Sequence, residues 1–434
     1  MGTFRSALLH PTTLRHAFAI AAIACAIRVA YVLAYPQVGP LCPDCGVYDR
    51  VASNFVNGKG LVDGTSSGAA GAPAVPEVGI GPVYSTFLAG VYWVAGHRFV
   101  AVRMAQAVVG ALMVPVMWQI SAMAFGSAAA RVCAWLVAVS PPLVTYTGML
   151  LTENLSVALL VCSVWLLLVA VNRQRTGWFL AGGVLLGSLI LLREEMSLLL
   201  PAFGIVAVWK GRPRPSPAQI LAYVLAAALC VGVWTVRNYV IFHQPILVSA
   251  HGGETLWISA KGWSEWHFDD PAFQDLVRGR DYIARNEVLQ HDAIRMIADA
   301  PARYLALCLK RIPELWVSSH TSYVRGLSDR YQSHWQRGAY GRLAVKVALL
   351  TFNVVMLGLA VRGLVMAFGL LPFAGWLMAL PIGIVTIVHF FLFSTPRYQI
   401  PVLPFVLAFA AVALARALQG RALPRLGRPV RDAA

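Results

Sequence analysis

Carboxylates limit what chemistry this chain can perform, and it has only 19 Asp and Glu among 434 residues. Eleven fall between residues 237 and 343; the others are Asp44, Asp49, Asp63, Glu77, Glu153, Glu194, Glu195 and Asp432. Glycosyl, phosphoryl or acyl transfer to a hydroxyl needs a base, and a strongly apolar chain tolerates few of them. Arginines form the complementary set. Arg103, Arg193, Arg237 and Arg397 each stand at the end of an apolar run, and a planar guanidinium pairs well with phosphate oxygens. The sequence has no glycine loop of the nucleotide-binding kind, so the phosphate these groups suggest is that of a lipid.

The elements that must position these residues are membrane helices. The chain is 58% hydrophobic and 12% charged, with a mean hydropathy of +0.66, whereas a soluble domain has roughly 25% charged residues. Apolar runs at 15–35, 99–122, 128–146, 153–172, 177–192, 196–209, 217–236, 344–361, 363–393 and 399–418 suit a bilayer core of roughly 30 Å. The expected fold is an all-α polytopic bundle of about ten to twelve transmembrane helices. The run at 363–393 holds Pro372 and Pro381 and reads as kinked or partly re-entrant. The run at 82–96 breaks the parity of the crossings and, with Tyr84, Tyr92 and Trp93, reads as a helix in the outer interface.

Basic residues fix the orientation. Arg5, Arg15, Arg131, Arg173, Arg175, Lys210, Arg212, Arg214, Arg362 and the tail arginines all fall on one side if both termini are cytoplasmic. Every acid except Asp432 then lies at or beyond the outer boundary, periplasmic in a bacterial inner membrane. The net charge of +16 is matched to anionic lipid rather than to nucleic acid. Three regions follow: an N-terminal transmembrane module over 1–236 with a first outer loop at 36–98, an outer region over 237–343, and C-terminal helices with a basic tail over 344–434. Within the outer region, 281–316 has the periodicity of amphipathic helices. Residues 64–82, rich in Gly, Ala, Ser and Pro, read as a mobile loop. The first apolar run carries Arg28 and lacks a cleavage site, so it reads as a retained helix. Cys25, Cys133, Cys162 and Cys230 read as small buried hydrophobes, while Cys42 and Cys45 form a lone CxxC that suits either a zinc half-site or a local disulfide.

Several segments, taken in order, resemble one family. They are Asp44-Cys-Gly-Val-Tyr48 with Asp49 to Gly60, Gly81-Pro-Val-Tyr84, Val102 to Gln106 with Gly110, and Ser140-Pro-Pro142 leading to Leu151-Thr-Glu153. Leu192-Arg-Glu-Glu195, Trp234 to Tyr239, Gly252-Gly253 and Pro396 to Pro401 complete the set. The pattern resembles that of C-type membrane glycosyltransferases, in particular bacterial relatives of dolichyl-phosphate-mannose protein mannosyltransferases and of lipid A aminoarabinose transferase. The resemblance implies transfer of a sugar from a polyprenyl-phosphate donor to a lipid, glycan or protein acceptor on the outer face, usually with inversion. It implies Asp44 as the base, with arginines stabilising the phosphate leaving group. No metal ligands are assigned; a divalent cation, Mg or Mn, is left open. An outward-facing ligase or polymerase using a lipid diphosphate, and a lipid or solute transporter, are the rival readings.

Each candidate also has a plainer role. Asp44 could cap the helix beginning near Gly46, and Tyr48 on its face could be an interfacial anchor. Asp49 could be a solvated acid. Glu153 could complement a helix dipole, and Arg193 could simply pair with Glu194 or Glu195. Arg237 and Arg397 could snorkel instead of meeting the donor phosphate, although Arg397 is followed by Tyr398 as in the family pattern. Arg103 with Gln106 suits a buried polar pair, and His389 a buried histidine. Trp257, Trp263, Trp266 and His267 suit either a sugar-stacking surface or an aromatic belt.

Overall fold

In a computed structural model, residues 11–36, 39, 42–63, 75–263, 267, 269–324, 326–368 and 371–419 are described. Residues 64–74, Trp266, Arg5, Asp432 and the tail arginines Arg421, Arg425, Arg428 and Arg431 lie outside them. All ten apolar runs fold as helices. Seven are long and apolar enough to cross a membrane: α1 (Pro11–Ala34), α4 (Phe99–Phe125), α7 (Glu153–Arg173), α10 (Pro217–Phe242), α16 (Tyr340–Ala367), α17 (Phe373–Phe391) and α18 (Leu403–Gln419, entered through a 3₁₀ turn, Pro396–Val402). An eighth is broken, since α5 (Ser127–Val139) and Pro141–Gly148, which begins with α6 (Pro141–Thr145), meet at 47°.

Among the described residues seven or eight helices qualify as crossings by length and composition, fewer than ten to twelve but consistent with the expected bundle. The reason is length. α8 (Thr176–Leu192) and α9 (Leu199–Lys210) have 17 and 12 residues. They are shorter than the seven spans, yet α8 starts beside the Arg173 end of α7 and carries Arg193 back to Glu153 at its other end. The long 363–393 run resolves into two helices: α16 continues to Ala367, and α17 starts after Pro372, where the ring cannot continue a helix. The segment at 82–96 is α3 (Pro82–Ala95), 14 residues that bury Tyr84, Leu88 and Tyr92 while exposing Trp93 and Val94. It is too short to cross.

The core forms where helices pair: α8 on α10, α7 on α8, α1 on α4, and α16 on α18. Its centre is α18, most of whose residues from Leu403 to Ala415 are buried. α2 (Pro43–Val56) packs on α3, and a two-residue ladder, β1 (Val62–Asp63) with β2 (Val75–Pro76), closes the first loop. The expected amphipathic helices of the outer region are α13 (Tyr282–Asp299) and α14 (Pro301–Trp316). With α11 (Gly252–Lys261) and α12 (Pro271–Val277), α13 encloses a second small core of Trp257, Ile258, Phe273, Leu289 and Ala293, which Phe393 joins from below. α15 (Tyr331–Gln336) leads back to α16.

Close packing of α16 on α18 depends on Gly363, where a Cβ would stand 1.9 Å from the Phe409 carbonyl oxygen. Gly358 on the same helix faces open space. Gly363→Ala is expected to lower stability by about 1–3 kcal/mol through overpacking, whereas Gly358→Ala is expected to leave it unchanged or raise it. Thermal unfolding of both variants in detergent checks this.

Candidate functional site

Three chain segments far apart in sequence meet at the end of the bundle that carries α2. The first is the start of α2. Cys42 is its N-cap residue and forms a disulfide with Cys45, which settles the CxxC as a local bridge. Asp44 lies in the first helical turn rather than at the cap, and its side chain is turned to a distant partner. Its Oδ2 accepts from Arg397 Nη2 at 2.6 Å. Asp44 keeps 47% of its side chain exposed, so a soluble hydroxyl can reach it, while Arg397 is 19% exposed.

The second segment is the beginning of α7. The carboxylate of Glu153 is completely buried and lies between two guanidiniums, with Oε1 2.8 Å from Arg193 Nη2 and 3.5 Å from Arg397 Nε. Arg193, the residue that ends α8, also donates to Ser156 Oγ (3.1 Å), Thr152 Oγ1 (3.2 Å) and Glu195 Oε1 (3.3 Å). A relay thus runs Asp44, Arg397, Glu153, Arg193, Glu195. The third segment is the 3₁₀ turn before α18, which supplies Arg397 and Tyr398. The Tyr398 ring lies beneath both guanidiniums, 5.6 Å from Arg193 Cζ and 5.3 Å from Arg397 Cζ, and stacks on His389 at 4.4 Å and 11°. His389 Nδ1 bonds the Phe393 carbonyl oxygen at 2.9 Å, and its Nε2 is buried without a partner.

Tyr48 packs edge-on against Tyr84 at 4.9 Å, and burial raises its phenol pKa. Tyr84 in turn donates to Gln106 Oε1 at 2.9 Å. Gln106 and Arg103 brace the turn that precedes α7: Gln106 Nε2 donates to the carbonyls of Thr147 (2.9 Å) and Met149 (2.8 Å), and Arg103 Nε to that of Gly148 (2.9 Å). These are the contacts of a buried polar pair. Asp49 points elsewhere and accepts from Tyr92 (2.6 Å) and His97 (2.7 Å).

Arg237 is engaged outside the relay. It donates to the Glu77 carbonyl at 2.8 Å and more weakly to that of Leu61 at 3.4 Å, and stacks over Trp234 at 4.5 Å, bracing the first loop. Trp257 is wholly buried with Nε1 on Asp292 Oδ2 (2.9 Å), so it is core rather than a free stacking face. Two residues not singled out in the sequence lie within electrostatic reach of Arg397: His251, whose pKa desolvation lowers, and Tyr323. The sequence signal for the former was its place directly before Gly252-Gly253. Glu194 accepts from Ser249 Oγ at 3.0 Å.

Among the described residues no three His, Cys, Asp or Glu side chains gather as a cation site. Asp44 faces a guanidinium instead of further oxygen ligands, a donor set that does not suit Mg or Mn.

The fold is that of C-type membrane glycosyltransferases, and the chain is a multi-pass membrane protein. Residues 76–236 match the family model described as dolichyl-phosphate-mannose-protein mannosyltransferase. The oligosaccharyltransferase of Archaeoglobus fulgidus, solved with a tethered acceptor peptide containing the NVT sequon, is similar at a TM-score of 0.55 and 13% identity. That alignment covers 93% of this chain and 50% of that one. The same organism's oligosaccharyltransferase AglB, solved with an inhibitory peptide and a dolichol-phosphate, is similar at 0.52 and 13%, over 95% and 52% of the chains. This chain thus spans about half the length of the solved structures it matches. No curated protein matches by sequence.

Removing the Glu153 charge would leave two guanidiniums at the relay without their shared anion. Glu153→Gln is expected to cost about 3–5 kcal/mol, the range for breaking a buried ion pair from one side. Glu195→Gln, which removes a longer contact (3.3 Å) to a partly exposed carboxylate, is expected to cost less, about 1 kcal/mol. Unfolding midpoints of the two variants measured side by side check the contrast.

Proposed function

We propose that this protein is a membrane glycosyltransferase that moves a sugar from a polyprenyl-phosphate carrier to an acceptor hydroxyl on the outer face of a bacterial inner membrane. The observation that carries the reading is the Asp44–Arg397 pair, since Arg397 also shares Glu153 with Arg193. One site thereby holds an accessible carboxylate beside a guanidinium suited to phosphate. The family match over 76–236 and the dolichol-phosphate bound by a protein of similar fold support the donor class. A disulfide at Cys42–Cys45 suits an oxidising compartment and supports the outward orientation, with cytoplasmic termini.

In the proposed reaction the donor phosphate takes the place of Asp44 on Arg397. The released carboxylate accepts the proton of the acceptor hydroxyl as its oxygen attacks the anomeric carbon. The bond from that carbon to the phosphate oxygen breaks, its electron pair leaves with polyprenyl phosphate, and the configuration inverts. Arg397 and Arg193 stabilise the charge on the leaving group. Glu153 and Glu195 hold the arginines in place, Tyr398 supports them from below, and Tyr48 lines the Asp44 side. His389 acts through Tyr398, Arg103 through the turn before α7, and Asp49 and Arg237 through the first loop. No step uses a metal.

A second reading, transfer of a preassembled glycan from a lipid diphosphate, draws on the likeness to the oligosaccharyltransferases. The test separates the two. Purified protein is incubated with labelled polyprenyl-phosphate sugars, or with lipid-diphosphate glycans, and a membrane extract as acceptor source. The expected result is movement of the label from the monophosphate donor, reduced about 10²- to 10⁴-fold in Asp44→Asn. Arg397→Lys should raise the donor KM. Full transfer by a folded Asp44→Asn protein would exclude the assigned base, and turnover of the diphosphate donor alone would favour the second reading.

A further inference from the structure

A helix that runs into two consecutive prolines loses two hydrogen bonds at once. The ring nitrogens of Pro141 and Pro142 cannot donate to the carbonyls four residues back, those of Val137 and Ala138 at the end of α5. In a membrane span no water takes over that duty, so another part of the protein must.

Arg28 supplies both bonds. From α1 its Nη2 donates to the Val137 oxygen at 3.2 Å and its Nη1 to the Ala138 oxygen at 3.0 Å, while a third bond to Ala24 (3.1 Å) ties the guanidinium to its own helix. The side chain is 1% exposed, and among the described residues no carboxylate forms an ion pair with it. Its charge faces the carbonyl end of α5, the negative pole of that helix. α4 makes room with Gly110, where a Cβ would lie 3.1 Å from both Arg28 Nε and Asn154 Nδ2. Asn154 is the neighbour of Glu153 and donates to Thr147 Oγ1 at 3.3 Å, and with Arg28 and Tyr146 it lines one small cavity.

We infer that Arg28 is a positioning residue: it stabilises the Pro141–Pro142 break that turns the chain through Tyr146–Gly148 and delivers Glu153 to Arg193 and Arg397. Gln106 and Arg103 extend the same device by serving the carbonyls of Thr147, Gly148 and Met149. A salt bridge would hold Arg28 to one acid; bonds to two proline-orphaned carbonyls hold it to the geometry of the break itself. The inference rests on the proposed glycosyl transfer for its activity readout only, because its stability readout is independent of the reaction.

The experiment is a mutant cycle on the full-length protein in nanodiscs: wild type, Arg28→Met, Arg28→Lys, Pro141→Ala with Pro142→Ala, and the last combined with Arg28→Met. Thermal midpoints are measured for all, with donor KM and kcat alongside. Arg28→Met should lower the midpoint and raise the donor KM about ten- to hundredfold by misplacing Glu153 and its arginines. Arg28→Lys should recover most of both. In the double-alanine background the restored N–H groups can serve the carbonyls, so Arg28→Met should shift the midpoint by less than half as much. Transfer should stay below wild type in that background, with and without Arg28, because the break is no longer enforced. Equal midpoint losses in the two backgrounds, or a wild-type midpoint and KM for Arg28→Met, would overturn the inference. If the wild type transfers no sugar, the functional proposal fails while the midpoint cycle still reports on Arg28.

Discussion

A fully buried carboxylate between two guanidiniums is the constraint on which this site depends. Burying Glu153, Arg193 and Arg397 one at a time would be prohibitive, because each charge would lose its hydration in a medium of low dielectric. Together they offset one another, with Thr152, Ser156 and Glu195 taking further donor capacity of Arg193. Three segments, the nearest two of them 40 residues apart in sequence, must therefore dock in register or leave a charge unpaired. Asp44 stands at the better-solvated end of this relay, bonded to the one arginine that also reaches the core.

The fold meets that demand with an interrupted membrane span. A straight helix over 127–148 would leave no turn leading into α7, and a free break would leave carbonyls without donors. Side chains from α1 and α4 close the gap: Arg28, Arg103 and Gln106 together serve five carbonyls between Val137 and Met149. Polar residues inside an apolar bundle thus have a backbone duty, and through it they determine where Glu153 sits. The Asp44–Arg397–Glu153 relay is thus built on hydrogen bonds made elsewhere in the bundle.

Much of this was legible from residue order. Ten apolar runs identified ten helices, and the level of the acids and arginines picked out Asp44, Glu153, Arg193 and Arg397, four members of one relay. Hydropathy registers apolarity and not length, so it gave no sign that α8 and α9 are as short as 17 and 12 residues. Arg237 looked equivalent to Arg397, each lying near the end of an apolar run. What separates them is the partner, two loop carbonyls for one and two carboxylates for the other, and pairing across 160 or 353 residues leaves no local trace. The roles of Arg28 and of the Ser140-Pro-Pro142 motif were invisible for the same reason: the prolines announce a break, but nothing local says which helix supplies the missing donors.

The proposed transfer requires that the donor phosphate exchange with Asp44 on Arg397 and free the base. Its most direct test is a cryo-electron microscopy structure of the protein in nanodiscs, solved with and without polyprenyl phosphate. The account predicts phosphate density against Arg397, with the Asp44 carboxylate moved off that guanidinium and open to the outer face. Phosphate bound away from Arg397, with the Asp44–Arg397 pair intact in the liganded state, would contradict it.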